Sequence, residues 1–182
     1  MPSVVVVPYD PSWPAAFATI RERIRPVLEG IAVAIEHVGS TAVPGLSAKP
    51  VIDIDVVVPD SAVAIRAAID GLGTLGYEHR GNLGIEGREA FLQPAGLPRH
   101  HLYVCPEGNL GLRNHLVLRD HLRTHPDDAA TYGVLKQELA AAFPDDIDSY
   151  VFHKTAFVLD VLRRAEFPEA DLATIEHQNS PA

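Results

Sequence analysis

Hydrophobic residues fall into two rhythms along this chain. Trp13, Phe17, Ile20, Ile24 and Leu28 recur at helical spacing, which predicts an amphipathic helix N-capped by Ser12 and kinked or ended by Pro26. Val33–Val38 and Val51–Val58 are compact apolar runs bounded by glycine and proline, which predicts strands. Val4–Val7 predicts a further short strand, closed by Pro8. Ala62–Leu72 predicts a helix capped at Ser61, and Tyr77–Arg80 a short strand. Residues 88–93 and 101–105 predict two paired strands, preceded by a glycine-dense loop from Gly81 to Gly87. From Leu110 onward only the helical rhythm remains. Pro126-Asp127 and Pro144-Asp145 divide it into three helices with aspartates available as caps. The stretch from Pro168 is polar and predicts a tail or a frayed helix.

The expected fold is α/β. A mixed sheet carries the N-terminal helices, and a C-terminal helical layer closes one side of a cleft. One domain covers 1–167, with an α/β core over 1–107 and the helical layer over 108–167; residues 168–182 are the tail.

The strand Val51-Ile-Asp-Ile-Asp-Val-Val-Val58 breaks its own pattern. Asp53 and Asp55 are two apart, so both point to one face of the strand while Ile52, Ile54 and Val56 point to the other. Two like charges side by side on an apolar strand are costly unless a cation or a proton neutralises them. The pair therefore predicts a bound divalent metal, Mg²⁺ or Mn²⁺, because carboxylate oxygens suit hard cations that bridge to phosphates. Gly39-Ser40 lies just before this strand, where glycine permits close backbone approach and the hydroxyl and amides can hold phosphate oxygens. The Walker A pattern is absent, because Leu46 follows the second glycine of the Gly39–Gly45 segment.

Charge narrows the class. Lys plus Arg is 15 and Asp plus Glu is 24, a net charge of −9, which argues against a protein that coats nucleic acid and leaves room for one small phosphate compound. Hydrophobic residues make up 47%, enough for a core, and no stretch approaches the roughly 20 apolar residues of a membrane span. The single cysteine, Cys105, and the lack of a signal-like N-terminus lead us to expect a cytoplasmic protein without intrachain disulfides.

The order Gly-Ser, then Asp-x-Asp on the next strand, resembles the DNA-polymerase-β-type nucleotidyltransferase superfamily. More closely, HVGSTAVPGLSAKPVIDIDVVV, with PYDPSWP before it and GIEGREAF, HHLYVC, NHLVLRDHLRTHP and YGVLKQELA after it, resembles the GrpB family from about Val4 to Leu162. The resemblance implies a nucleotidyltransferase-like fold; in some actinobacterial relatives such a domain is fused to dephospho-CoA kinase. It also implies that Gly39 and Ser40 grip a nucleoside triphosphate and that Asp53 and Asp55 hold the metal. The superfamily usually adds a third carboxylate from a later strand, often the general base. Here that strand begins His100-His101-Leu102-Tyr103, so His101 stands as base or third metal ligand, and Glu89 is the nearest acidic candidate.

Several basic residues are placed to meet phosphate. Lys49 precedes the acidic strand and Arg88 adjoins the glycine-dense loop. His115 and Arg119 are i, i+4 on a helix and share its face with Leu112 and Leu122; the alternative partners for Arg119 are carboxylates such as Asp120 or Glu89. Lys154 is bracketed by Val151 and Val158, the alternative being a lysine that snorkels at the core edge. His121 and His125 lack a His-Glu-x-x-His context and read as helix-end decoration. The expected activity is metal-dependent nucleotidyl transfer to an unnamed acceptor, with a non-catalytic module for nucleotide or CoA-related phosphate as the alternative.

Overall fold

The strand with the two aspartates lies second in a five-stranded sheet. The computed structural model describes residues 3–180. Its strands are β1 (Ala34–Val38), β2 (Ile52–Val58), β3 (Glu78–His79), β4 (Glu89–Leu92) and β5 (His100–Pro106), in the order β1-β2-β5-β4-β3. The sheet is mixed: β2 and β5 run parallel, and the other pairs are antiparallel. Parallel neighbours need a long crossover. Here it includes α2 (Ala62–Thr74), β3 and β4.

Alternation along β2 assigns the two faces. Ile52, Ile54 and Val56 are at most 2% exposed and pack on α1 (Trp13–Leu28), which presents Trp13, Ile20, Ile24 and Leu28 as the sequence rhythm predicts. α2 adds Ala68 and Leu72 to the same core. Burying each such aliphatic side chain contributes about 1.5–3 kcal/mol. Pro14 sits in the first turn of α1, and Pro26 lies inside its last turn without ending it. Ser12 occupies the cap position but makes no side-chain bond there.

The opposite face carries Asp53 and Asp55 and is roofed by helices. These are α3 (Leu110–Thr124), α4 (Pro126–Ala142), α5 (Ile147–Arg164) and α6 (Glu169–Gln178). Asn109 caps α3 and Asp146 caps α5 through side-chain oxygens, whereas α4 starts at Pro126 with Asp127 and Asp128 in its first turn. No helix among the described residues is long and apolar enough to cross a membrane.

Two sequence expectations change. Val4–Val7 forms no sheet strand: Val7 makes a lone bridge to Ala48, and the Val4 amide donates to Pro144 O at 2.6 Å, tying the segment to the α4–α5 connection. The expected polar tail contains α6, whose Leu172 and Ile175 are 2% exposed and pack with Leu122, Val158 and Leu162. Two well-placed apolar side chains thus recruit an otherwise polar segment. We expect Leu172→Ala to cost about 3 kcal/mol in urea unfolding, the range for a buried leucine truncation; a loss below 0.5 kcal/mol would mean that α6 does not belong to the core.

Candidate functional site

β1 ends at Val38, and the chain turns at Gly39 with φ +70°. A side chain here would meet Asp53: a Cβ would lie 2.3 Å from its Oδ2. The turn thus uses glycine both for its left-handed backbone and for the space that Asp53 fills. We expect Gly39→Ala to lose about 2–3 kcal/mol of stability, read by urea denaturation, because strain and overlap act together. The 3-10 turn Ser40–Ala42 follows. Buried His37 stacks on Phe17 and shares a 3.0 Å hydrogen bond with Thr41 Oγ1; burial pushes its pKa down to about 4, so it braces the turn as a neutral ring.

The parallel register sets His101 beside Asp53 and Tyr103 beside Asp55. His101 Nδ1 donates to Asp53 Oδ1 at 2.8 Å. From α3, His115 Nδ1 donates to Asp55 Oδ2 at 2.8 Å. Asp55 is fully buried, and its other oxygen, Oδ1, has no hydrogen-bond partner. Burial alone would raise the pKa of Asp53, but the His101 hydrogen bond and the charges of His101, His115 and Lys154 outweigh it and hold the carboxyl below its usual value. Burial alone would lower the pKa of His115; the charge and hydrogen bond of Asp55 prevail, and it is raised. Each carboxylate of the costly acid pair is therefore already engaged by one histidine hydrogen bond.

Above this floor lies a cavity of about 370 Å³ between the sheet and the helical roof. Gly39, Ser40, Lys49, Asp53, Arg88, His101, His115, Arg119 and Lys154 all line it, so nine of the residues singled out in the sequence meet in one place. Lys136, on α4, was not among them. It is 2% exposed, and its Nζ donates to Ser40 Oγ at 2.8 Å and to the carbonyl of Ser47. Burial pushes its pKa down to about 7 and that of Lys154 to about 8, each lowered further by a neighbouring lysine; burial likewise lowers Lys49. None of the three has a carboxylate within 4 Å among the described residues. A same-face test would have found Lys136, since Tyr132, Lys136 and Ala140 form one buried stripe at i, i+4, i+8.

Two candidates are placed differently from expectation. Glu89 pairs in register with Val104, so it shares the α1–α2 side of the sheet and not the acid-pair face; it hydrogen-bonds His79 at 2.6 Å. It therefore does not supply a third acid to the cavity. Arg119 lines the cavity with its charge already matched by Glu36 at 2.6 Å and Asp120 at 2.7 Å, and it donates to the carbonyl of His37 at 3.1 Å. That arrangement braces the turn and leaves little charge for a ligand. His121 bonds Asp128, which also holds Arg164, and stacks on His125 away from the cavity. Cys105 is packed and 1% exposed.

Carboxylate oxygens are the ligand type that hard divalent cations prefer. Each aspartate commits one oxygen to a histidine, and the partnerless Asp55 Oδ1 is an acceptor in search of a cation or a donor. No group of three or more His, Cys, Asp or Glu side chains among the described residues forms a ready-made cage. A cation here would take its remaining ligands from phosphate and water.

The mixed sheet with its acid-bearing second strand defines a nucleotidyltransferase-like fold. The Cid1 poly(U) polymerase, as a mutant bound to MgATP, shares it with a TM-score of 0.53 at 11% identity, over 85% of this chain and 50% of that one. The chain belongs to the GrpB family, whose sequence model, described as GrpB protein, matches residues 3–164. The conserved protein GrpB from Enterococcus faecalis is similar in structure, with a TM-score of 0.77 and 31% identity over 90% of this chain and all of that one. UPF0157 protein YqkA of Bacillus subtilis is 36% identical over 155 residues, which are 85% of this chain and 45% of that protein. The chain thus spans less than half the length of that relative.

Proposed function

We propose that this chain binds a nucleoside triphosphate with Mg²⁺ or Mn²⁺ and transfers its nucleotidyl group to a small acceptor. The observation that carries the reading is three lysines without carboxylate partners lining one cavity with Asp53, while Asp55, buried on the same strand face, lies outside its lining. Ammonium groups removed from water without a counter-anion are expensive, and a polyphosphate supplies the missing charge. Ser40, Lys49, Lys136 and Lys154 would hold the triphosphate, with the backbone of Gly39 giving close approach. Asp53 and Asp55 would hold the cation, which when bound offsets charge on the phosphate oxygens.

In the transfer, an acceptor hydroxyl oxygen bonds to the α-phosphorus, and the bond from that phosphorus to the pyrophosphate oxygen breaks. His101 would take the hydroxyl proton on Nε2 while Nδ1–H stays on Asp53, which orients the ring. His115 would position Asp55, and Arg119 would position the turn.

A second reading is favoured by His101 standing where a third carboxylate would act as base. The chain would then bind a nucleotide or a CoA-related phosphate without consuming it. Calorimetry with Mn²⁺ and a panel of non-hydrolysable triphosphates tests both, against Asp53→Asn/Asp55→Asn. Equal binding by the wild type and the double variant rejects both readings. Tight binding of hydrolysable triphosphates, with no product formed in the presence of candidate acceptors, selects the second.

A further inference from the structure

Arg88 lines the same cavity from just before β4 and, like the three lysines, lies over an aromatic ring with no carboxylate partner among the described residues. It is 8% exposed, and its guanidinium lies 4.3 Å above the ring of Tyr103. Its hydrogen bond is a long one, from Nη2 to the carbonyl of Asn82 at 3.4 Å. The Nε–H is buried with no partner. No carboxylate comes within 4 Å of it among the described residues. Asn114, on α3 in the same cavity wall, has a buried Oδ1 that is also unpartnered. A buried N–H and a buried C=O left unmatched in one cavity are a standing demand for a ligand with an acceptor and a donor.

The position is built into the fold. Gly87, with φ +71°, precedes Arg88, and a Cβ there would come within 2.8 Å of Asn109 Nδ2. That same nitrogen donates to the carbonyl of Glu86 at 3.0 Å, so the loop is clamped to the cap of α3. Arg88 is therefore held in place, as a binding group must be.

Register separates the two ends. Arg88 covers Tyr103, the cross-strand neighbour of Asp55. Lys136 bonds Ser40, next to the Gly39 that packs on Asp53. The acid pair thus lies between the lysine end and the arginine end. Phosphoryl displacement runs in line, so an acceptor must approach from the side opposite the departing pyrophosphate. With the pyrophosphate portion on the lysines, that side belongs to Arg88.

We infer that Arg88 and Asn114 form the acceptor subsite, and that the acceptor is a small molecule with an oxyanion, carboxylate or phosphate, beside a hydroxyl group. The Nε and Nη2 edge of the guanidinium offers two parallel N–H donors to the oxyanion, and Asn114 Oδ1 accepts from the hydroxyl as the acceptor binds, before that proton turns to His101 Nε2 for the transfer. This assignment rests on the triphosphate reading for its orientation but not for its ligand chemistry.

The test loads the full chain with Mn²⁺ and a non-hydrolysable triphosphate and titrates glycerol 3-phosphate and, separately, lactate by calorimetry. Glycerol 3-phosphate binding alone identifies a phosphate-bearing acceptor, and lactate binding alone a carboxylate-bearing one. Arg88→Gln should weaken the bound probe at least thirtyfold and change triphosphate affinity by less than twofold. Lys136→Met should do the reverse. Arg88→Lys, which keeps the charge and loses the parallel donors, should recover only part of the affinity. Asn114→Ala provides a neutral variant, expected to weaken the hydroxyl-bearing probe and leave inorganic phosphate unchanged. If neither probe binds the loaded wild type, or if Arg88→Gln weakens the triphosphate as much as the probe, the subsite is overturned. If a probe binds through Arg88 while no triphosphate binds at all, the subsite stands and the nucleotidyl-transfer reading falls.

Discussion

Lys136→Met is expected to weaken triphosphate binding by about 2–4 kcal/mol, roughly thirtyfold to several hundredfold, without destabilising the protein. The lysine is 2% exposed, with only neutral oxygens, Ser40 Oγ and Ser47 O, as partners. Methionine has a similar length and carries no charge to desolvate, so the variant should be as stable as the wild type or more so. The pH dependence follows from the direction of the shift. The folded-state pKa, about 7, lies below the unfolded value near 10.5. Between these values the unfolded chain holds a proton that the folded chain has released, so the lysine's contribution to stability rises with pH over that window. At and below pH 7 the charge is buried and the contribution is unfavourable. Ligand binding runs the other way, because an anion favours the ammonium form. Affinity should fall above about pH 7, more steeply in the wild type than in Lys136→Met. Calorimetry in buffers of different ionisation enthalpy would register the proton taken up; identical pH profiles for the two proteins would remove Lys136 from the anion site.

Asp55→Ala is expected to destabilise the fold by about 3 kcal/mol at pH 6, because it strands His115 beneath the helical roof. Asp55 is fully buried and bonds His115 at 2.8 Å. Its charge outweighs burial and raises the histidine's pKa. The stabilisation from protonated His115 is complete below the unfolded value near 6.5 and disappears as pH rises through the higher folded value. Without Asp55, burial and the Arg88 charge are opposed only by Asp53 and favour the neutral ring, so acid conditions then destabilise the variant. The gap between the two proteins should be widest in mild acid and narrower at pH 9. Urea denaturation at both pH values measures it, and a gap that grows toward pH 9 would contradict the ion pair.

The floor of the site was more legible in the sequence than its roof. A period of two places Asp53 and Asp55 on one face, and this needs only local information. His101 was reachable because the strand it begins had to lie near the acid pair in a nucleotidyltransferase-like sheet. Glu89 shows the limit: one residue of register decides which side it takes, and that register depends on pairing with β5. Arg119 finds Glu36, 83 residues away, so no local pattern could separate the ligand-facing reading from the structural one. Lys136 was discoverable, because it interrupts a buried stripe as Lys154 does, but its meaning comes from Ser40, 96 residues earlier. In α6 two apolar residues decide the packing of a segment whose composition is polar.

Asp53 and Asp55 both precede Pro106 in the chain, whereas two of the three cavity lysines, Lys136 and Lys154, come later, on the fourth and fifth helices. As the polypeptide emerges during synthesis, its first half carries the acid pair with Lys49 and Arg88 but without Lys136 and Lys154. The cavity gains its full set of lysines when the later helices fold down over the sheet. Any occupant would then act as a rivet between early-made and late-made portions of the molecule.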